Sequence, residues 1–131
     1  MQYQSFEELE IYKLAHRLCE ETWEIMTLSP LSKDFRLKDQ MNGSSGSIMD
    51  NIAEGFGRGG NKEFIAFLSY SRGSCCEYRS QLRRAFDRRH IDETKFASLN
   101  QSAQNINEQI SRFINYLKSS KRLGPKFDNK K

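Results

Sequence analysis

Residues 43–64 read GSSGSIMDNIAEGFGRGGNKEF and hold six of the eight glycines in this 131-residue chain. Gly55, Gly57 and Gly60 spell G-x-G-x-x-G, the spacing of dinucleotide-binding loops. Such a loop needs its glycines directly after a buried strand and at the opening of a helix. The residues before Gly55 have helical period instead, with Ile48, Ile52 and Phe56 successively four apart. The Walker form fails as well, because Gly60 is followed by Asn61 and Lys62 rather than by Lys with Ser or Thr. GFGRGG therefore reads as a helix stop and restart, with Gly57 as a left-handed C-cap and Gly59 with Gly60 as the turn.

The GSSGS segment reads differently. A helix passing through Gly43 and Gly46 gives up about 1 kcal/mol at each relative to alanine. That loss is tolerable where the missing side chains let another backbone approach. Gly43, Ser44, Ser47, Asn51, Glu54 and Gly55 form a small or polar strip beside the apolar stripe. Such a strip is either solvated or the place where another helix or subunit docks.

On either side of this segment the chain repeats the helical pattern and offers no convincing strand. Leu37, Met41, Ser45, Ile48, Ile52 and Phe56 share one stripe of a helix from about Asp34 to Phe56. Before it, Ser5 is an N-cap with Glu8 completing a capping box, followed by Ile11, Leu14, Ala15, Leu18, Thr22, Ile25 and Met26; Pro30 ends that helix. A third helix starts at Asn61 as N-cap and buries Phe64, Phe67, Leu68, Ser71, Cys75, Tyr78, Leu82 and Ala85. A fourth follows Asp92 and buries Phe96, Leu99, Ala103, Ile106, Ile110, Phe113, Ile114 and Leu117. Each helix spans about 23–29 residues, roughly 35–43 Å at the usual rise. Short connections make sequence neighbours antiparallel, which predicts an all-α, up-down-up-down four-helix bundle over residues 1–118. Residues 119–131 have no period and read as a flexible basic tail.

Composition narrows the class. The hydrophobic fraction is 37% and the charged fraction 29%, with nine Phe and five Tyr to fill a core. No apolar run approaches the roughly 18 residues of a membrane span, so the expectation is a cytoplasmic protein without membrane association. Cys19, Cys75 and Cys76 form no C-x-x-C, and adjacent helical cysteines diverge, so reduced packing thiols are expected. The net charge of +4 is uneven: from Lys118 on, six Lys or Arg face only Asp128, leaving 15 basic and 16 acidic side chains before it.

Little in the sequence suggests catalysis. Ferritin-like metal sites use Glu-x-x-His pairs, whereas this chain has only Asp87-x-x-His90, and Lys13 stands where an acid would precede His16. Asp50 and Glu54, four apart, could share a face as an acid/base pair, but the simpler expectation is that Asp50 faces solvent and Glu54 pairs with a cation. No metal, no cofactor and no enzymatic activity are expected. The third helix does carry a basic stripe. Arg72, Arg79 and Arg83 fall on one side, Arg84, Arg88 and Arg89 extend it, and residues 72–89 carry six arginines against Glu77 and Asp87. These cations either contact phosphates or pair with the acids of the first helix, which holds Glu7, Glu8, Glu10, Glu20, Glu21 and Glu24.

The run QMNGSSGSIMDNIAEGFGRGGNKEFIAFLSYSRGSCCE, residues 40–77, resembles the four-helix-bundle family of proteins encoded in 23S ribosomal RNA intervening sequences. The matching positions are Gln40, Ser47, Ile48, Asn51, Ile52, Ala53, Glu54, Gly55, Arg58, Glu63, Phe64, Phe67, Leu68, Gly73, Ser74 and Glu77. Similarity in the first helix extends the likeness to about residues 5–117. The resemblance implies a bundle that assembles as a homopentameric ring or barrel. Related accessory proteins of diversity-generating retroelements bind nucleic acid and a reverse transcriptase. Asn42 and Gly43 replace two arginines usual in the family, which removes cations from the second helix. The resulting expectation is a non-enzymatic oligomeric scaffold associated with structured RNA or another nucleic acid. Its phosphate contacts would be Arg72, Arg79, Arg83, Arg84, Arg88, Lys118, Lys121 and Arg122. Gly43, Ser44, Ser47, Asn51 and Glu54 would form the subunit interface. The alternative is a protein–protein adaptor whose ring presents a surface to a partner such as a polymerase, without nucleic-acid contact.

Overall fold

The computed structural model describes residues 3–120 as four helices: α1 (Glu10–Leu28), α2 (Phe35–Arg58), α3 (Asn61–Asp87) and α4 (Glu93–Ser119). Short 3₁₀ turns at Phe6–Glu8 and Pro30–Lys33 precede α1 and α2. The expected tail contacts Lys121 and Arg122 lie outside the described residues. No described helix is long and apolar enough to cross a membrane.

The predicted stripes form the core. All six residues of the α2 stripe are buried, and in α1 only Leu14 of the predicted set is partly exposed. Tyr78 is the largest fully buried side chain, and its hydroxyl shares a 2.6 Å hydrogen bond with Thr22 of α1 across the bundle. Burial pushes the Tyr78 phenol well above its usual range.

The helix ends differ from expectation in three places. Ser5 caps only the 3₁₀ turn, accepting from the Glu7 amide, while Glu8 accepts from the Gln4 amide rather than from Ser5. Helix α1 then starts at Glu10 and has 19 residues, shorter than the pattern suggested. Helix α2 runs past Gly57: Arg58 Nη2 donates to Glu54 Oε2 at 3.0 Å and its guanidinium lies over the Phe67 ring, extending the last turn. The left-handed cap is Gly59, with φ 91°. Gly60, not Asn61, then takes the extended N-cap position of α3, and Asn61 Nδ2 donates instead to the Leu117 carbonyl of α4. Asp92 caps α4 as expected, accepting from the Lys95 amide at 2.8 Å.

Neighbouring helices pack in the order α1–α2–α3–α4–α1, so α1 and α3 occupy diagonal corners. The α2–α3 seam is the most extensive, and Gly55 makes it possible. A Cβ there would lie 2.7 Å from Phe67 Cβ and 2.9 Å from Phe64 Cδ1. Only a residue without a side chain lets α3 come this close. A Cβ at Gly43 or Gly46 would have no atom within 4 Å.

Candidate nucleic-acid interface

Three of the four arginines of α3, Arg79, Arg83 and Arg84, are held by the helix that their side of α3 faces. Toward α4, Arg79 Nε donates to Asn100 Oδ1 at 2.9 Å. One turn on, the Arg83 guanidinium lies 4.5 Å from the Phe96 ring centroid and 5.9 Å from that of Phe86, two rings stacked on each other. Toward α2, Arg84 Nη2 donates to Gln40 Oε1 at 2.9 Å. Arg72 is exposed and makes no ion pair among the described residues.

The partners of Arg79, Arg83 and Arg84 are neutral. An amide oxygen or an aromatic face orients a guanidinium without cancelling its charge, so these cations are aimed yet still able to bind an anion. Arg88 differs. Its Nη1 donates to Asp34 Oδ2 at 2.9 Å, and His90 Nε2 lies 2.9 Å from the same oxygen. These two contacts, His90 foremost, hold the Asp34 carboxyl below its usual range. Asp34 also accepts from the Leu37 amide as the α2 N-cap, so this cluster ties the start of α2 to the end of α3. The local chain path delivers His90 there: Arg89 takes a left-handed conformation, φ 62°, with His90 N–H on Ala85 O and Arg89 N–H on Phe86 O, a Schellman closure.

Among the described residues, no α3 arginine pairs with an acid of α1. The two helices sit on a diagonal. The bundle therefore has an acidic corner at α1 and a basic corner at α3. Lys118 is exposed in the last turn of α4.

The strip on α2 divides. Ser44 is buried, and its hydroxyl donates to Gln81 Oε1 of α3 at 2.6 Å. Ser47 Oγ accepts from Ser74 Oγ of α3 at 2.9 Å and from Asn51 Nδ2 at 3.0 Å. Ser44 and Ser47 thus serve the intrachain α2–α3 seam, and Asn51 bonds back onto Ser47 of its own helix. Gly43 and Glu54 are exposed, and Glu54 pairs with Arg58.

Burial also sorts the thiols. Cys75 is buried, and desolvation pushes its pKa up to about 12. Burial likewise raises Cys19, whose thiol donates to the Ser45 carbonyl at 3.0 Å. Cys76 is exposed on the outer side of α3. No group of three or more His, Cys, Asp or Glu side chains among the described residues is arranged to hold a metal ion.

Sequence reading missed the partners that orient the arginines, Asn100, Phe96 and Gln40. Each lies on another helix, and the pairing depends on an interhelical register that no single stripe encodes.

None of the functionally curated proteins compared matches this chain significantly. Among solved structures, a crystal structure at 1.70 Å of a protein of unknown function from the S23 ribosomal protein family of Bacteroides thetaiotaomicron VPI-5482 is similar to it. The TM-score is 0.72 at 19% identity, over 79% of this chain and 97% of that one, which supports the fold alone. The sequence pattern of the 23S rRNA-intervening sequence proteins matches residues 7–112. With a match over that span and four helices in the expected order, this chain belongs to the 23S rRNA-intervening sequence protein family.

Proposed function

We propose that this protein is a cytoplasmic, non-enzymatic, oligomeric scaffold that associates with structured RNA through the α3 corner of its bundle. The observation that carries this reading is the state of the arginines. Arg79, Arg83 and Arg84 are oriented by neutral partners on the corner diagonal to the acids of α1. The lack of any ion pair between α1 and α3 among the described residues supports this use over self-neutralisation. Arg88 contributes less charge, since Asp34 neutralises it. The test is to purify the protein without nuclease, measure its mass, and sequence what travels with it. Copurifying RNA that is released by salt supports the reading, and nucleic-acid-free protein at low salt contradicts it.

Assembly, to a homopentamer, is part of the same proposal. The clean variant is Gly43→Leu, because Gly43 is exposed with open space beyond it, whereas Ser44→Leu would disrupt the chain's own α2–α3 seam. A changed mass by light scattering supports an interface at Gly43, and an unchanged mass rules it out.

One observation favours the adaptor reading as a second possibility. Trp23, Leu28 and Phe35, near the α1–α2 turn, are 61%, 79% and 68% exposed. Large apolar side chains grouped at one end suit a protein partner. A salt-insensitive complex with one protein and no RNA would select that reading.

A further inference from the structure

Helix α4 is unlike the other three. Between Phe96 and Ser111 its only charge is Glu108, and it carries the amides Asn100, Gln101, Gln104, Asn105, Asn107 and Gln109. Ser98, Gln101, Ser102, Gln104, Asn105 and Glu108 line one shallow polar depression on its outer face. A solvated helix face gains nothing from such a choice. Asn and Ser are poorer helix formers than Glu, Lys or Ala, because their short side chains compete for backbone hydrogen bonds. What the residues do offer is neutral groups that both donate and accept hydrogen bonds.

Their position gives those groups a use. The Arg79–Asn100 and Arg83–Phe96 contacts set an antiparallel register between α3 and α4. Carried on by one heptad, that register sets Arg72 opposite Asn107, whose Oδ1 is buried without a hydrogen-bond partner. A line of guanidinium groups therefore runs alongside Asn100 and Asn107, and Gln104, one turn from each, leads round α4 to the outer depression. The aromatic rings on this line, Phe86 and Phe96, stack on each other beneath Arg83, so they are not open platforms for unpaired bases. That favours a paired nucleic acid over a single strand, which proteins bind by stacking bases on aromatic faces.

We infer that the α4 amide face is the second half of the RNA site and contacts ribose 2′-hydroxyls of a double-helical RNA, while the α3 arginines hold its phosphates. The inference rests on the RNA reading above and specifies its ligand. A-form RNA displays 2′-hydroxyls across a wide, shallow minor groove, which a pair of side-by-side helices can meet without inserting. DNA lacks that hydroxyl. The site therefore discriminates between the two nucleic acids through α4, whereas α3 attracts both.

The experiment compares binding of one paired RNA, the same duplex with 2′-O-methyl riboses, and the DNA duplex of the same sequence, all at one salt concentration. The variant is Gln101→Ala/Gln104→Ala/Asn105→Ala. All three positions are exposed and alanine raises helix propensity, so folding is preserved. Wild-type protein is expected to prefer the unmodified RNA over both other duplexes by about tenfold, the loss of a few hydrogen bonds. The variant is expected to lose that preference with its DNA affinity and salt dependence unchanged. Binding that is retained with equal affinity for all three duplexes, or a variant that keeps the wild-type preference, overturns this inference alone. A wild-type protein that binds none of the three at low salt overturns the RNA reading with it.

Discussion

Helix α3 has two flanks, and they are built on opposite principles. Toward α2 the contact is close and built from small residues: Gly55 admits Phe64 and Phe67, and Ser44 and Ser47 meet Gln81 and Ser74 through hydrogen bonds of 2.6 and 2.9 Å. Toward α4 the outer edge is long-armed and open: Arg79 reaches Asn100, and Arg83 lies over Phe96. Small residues let two backbones approach and fix their register. Long cationic side chains span a gap and keep their charge at the surface. The first flank holds the bundle together, and the second presents chemistry. Substitutions on the two flanks should therefore fail in different assays.

The largest effect belongs to the α2 flank. Gly55→Val places carbon where Phe67 Cβ would be 2.7 Å away, and is expected to destabilise the fold by about 3 kcal/mol, read by denaturant unfolding. Gly43→Ala is expected to have the opposite sign, stabilising the chain by up to about 1 kcal/mol, because no atom opposes the new methyl and helix propensity improves. Equal effects at the two glycines would break the distinction between a buried seam and an open face.

Next in size is the bond that crosses the core. Tyr78→Phe leaves the buried Thr22 hydroxyl without its 2.6 Å partner and is expected to cost about 1–2 kcal/mol, with RNA association unchanged. Comparable in size, and dependent on pH, is the cluster that closes the α2 flank at one end. Asp34 is held in its charged form by His90 and Arg88, so its folded pKa lies below the unfolded value. Its stabilising contribution is complete above the unfolded pKa of about 3.9 and disappears as pH falls through the lower folded pKa. Asp34→Ala is expected to destabilise by about 1 kcal/mol at neutral pH through the lost cap and pairing, with the difference narrowing toward pH 2. A pH-independent difference would remove the ionic part of the explanation. The smallest effect is chemical rather than energetic. Iodoacetamide is expected to modify exposed Cys76 and to spare Cys75, whose buried thiol has a pKa raised to about 12. Labelling of Cys75 in the folded protein would contradict the packing described for α3.

The core was legible in the sequence because a 3.6-residue period is a property of one helix at a time. Ile48, Ile52 and Phe56, or Ile106, Ile110 and Ile114, declare their face without reference to any other element. Helix ends were less legible because tertiary contacts compete for the capping groups. Asn61, a good N-cap by type, is drawn to the Leu117 carbonyl, and the Glu54–Arg58 pair carries α2 past Gly57 to Gly59. The arginines could be named from α3 alone, but not their oriented state, which depends on Asn100, Phe96 and Gln40 across two seams. Likewise, Ser44 and Ser47 looked like a surface for a second subunit, and only the position of α3 reveals that they meet Gln81 and Ser74 of the same chain. The amide row of α4 was present in the composition but gained meaning only beside the guanidinium groups.

The central claim is that the α3 corner holds phosphate, and the dependence of RNA affinity on salt tests it most directly. Each phosphate contact contributes about one unit to the slope of log affinity against log salt. For wild-type protein and the variant Arg72→Gln/Arg79→Gln/Arg83→Gln, binding to one paired RNA should be titrated across a range of salt. The account predicts a steep negative slope in the wild type and a slope shallower by about three in the variant, with thermal stability nearly unchanged. Identical slopes for the two proteins would contradict it.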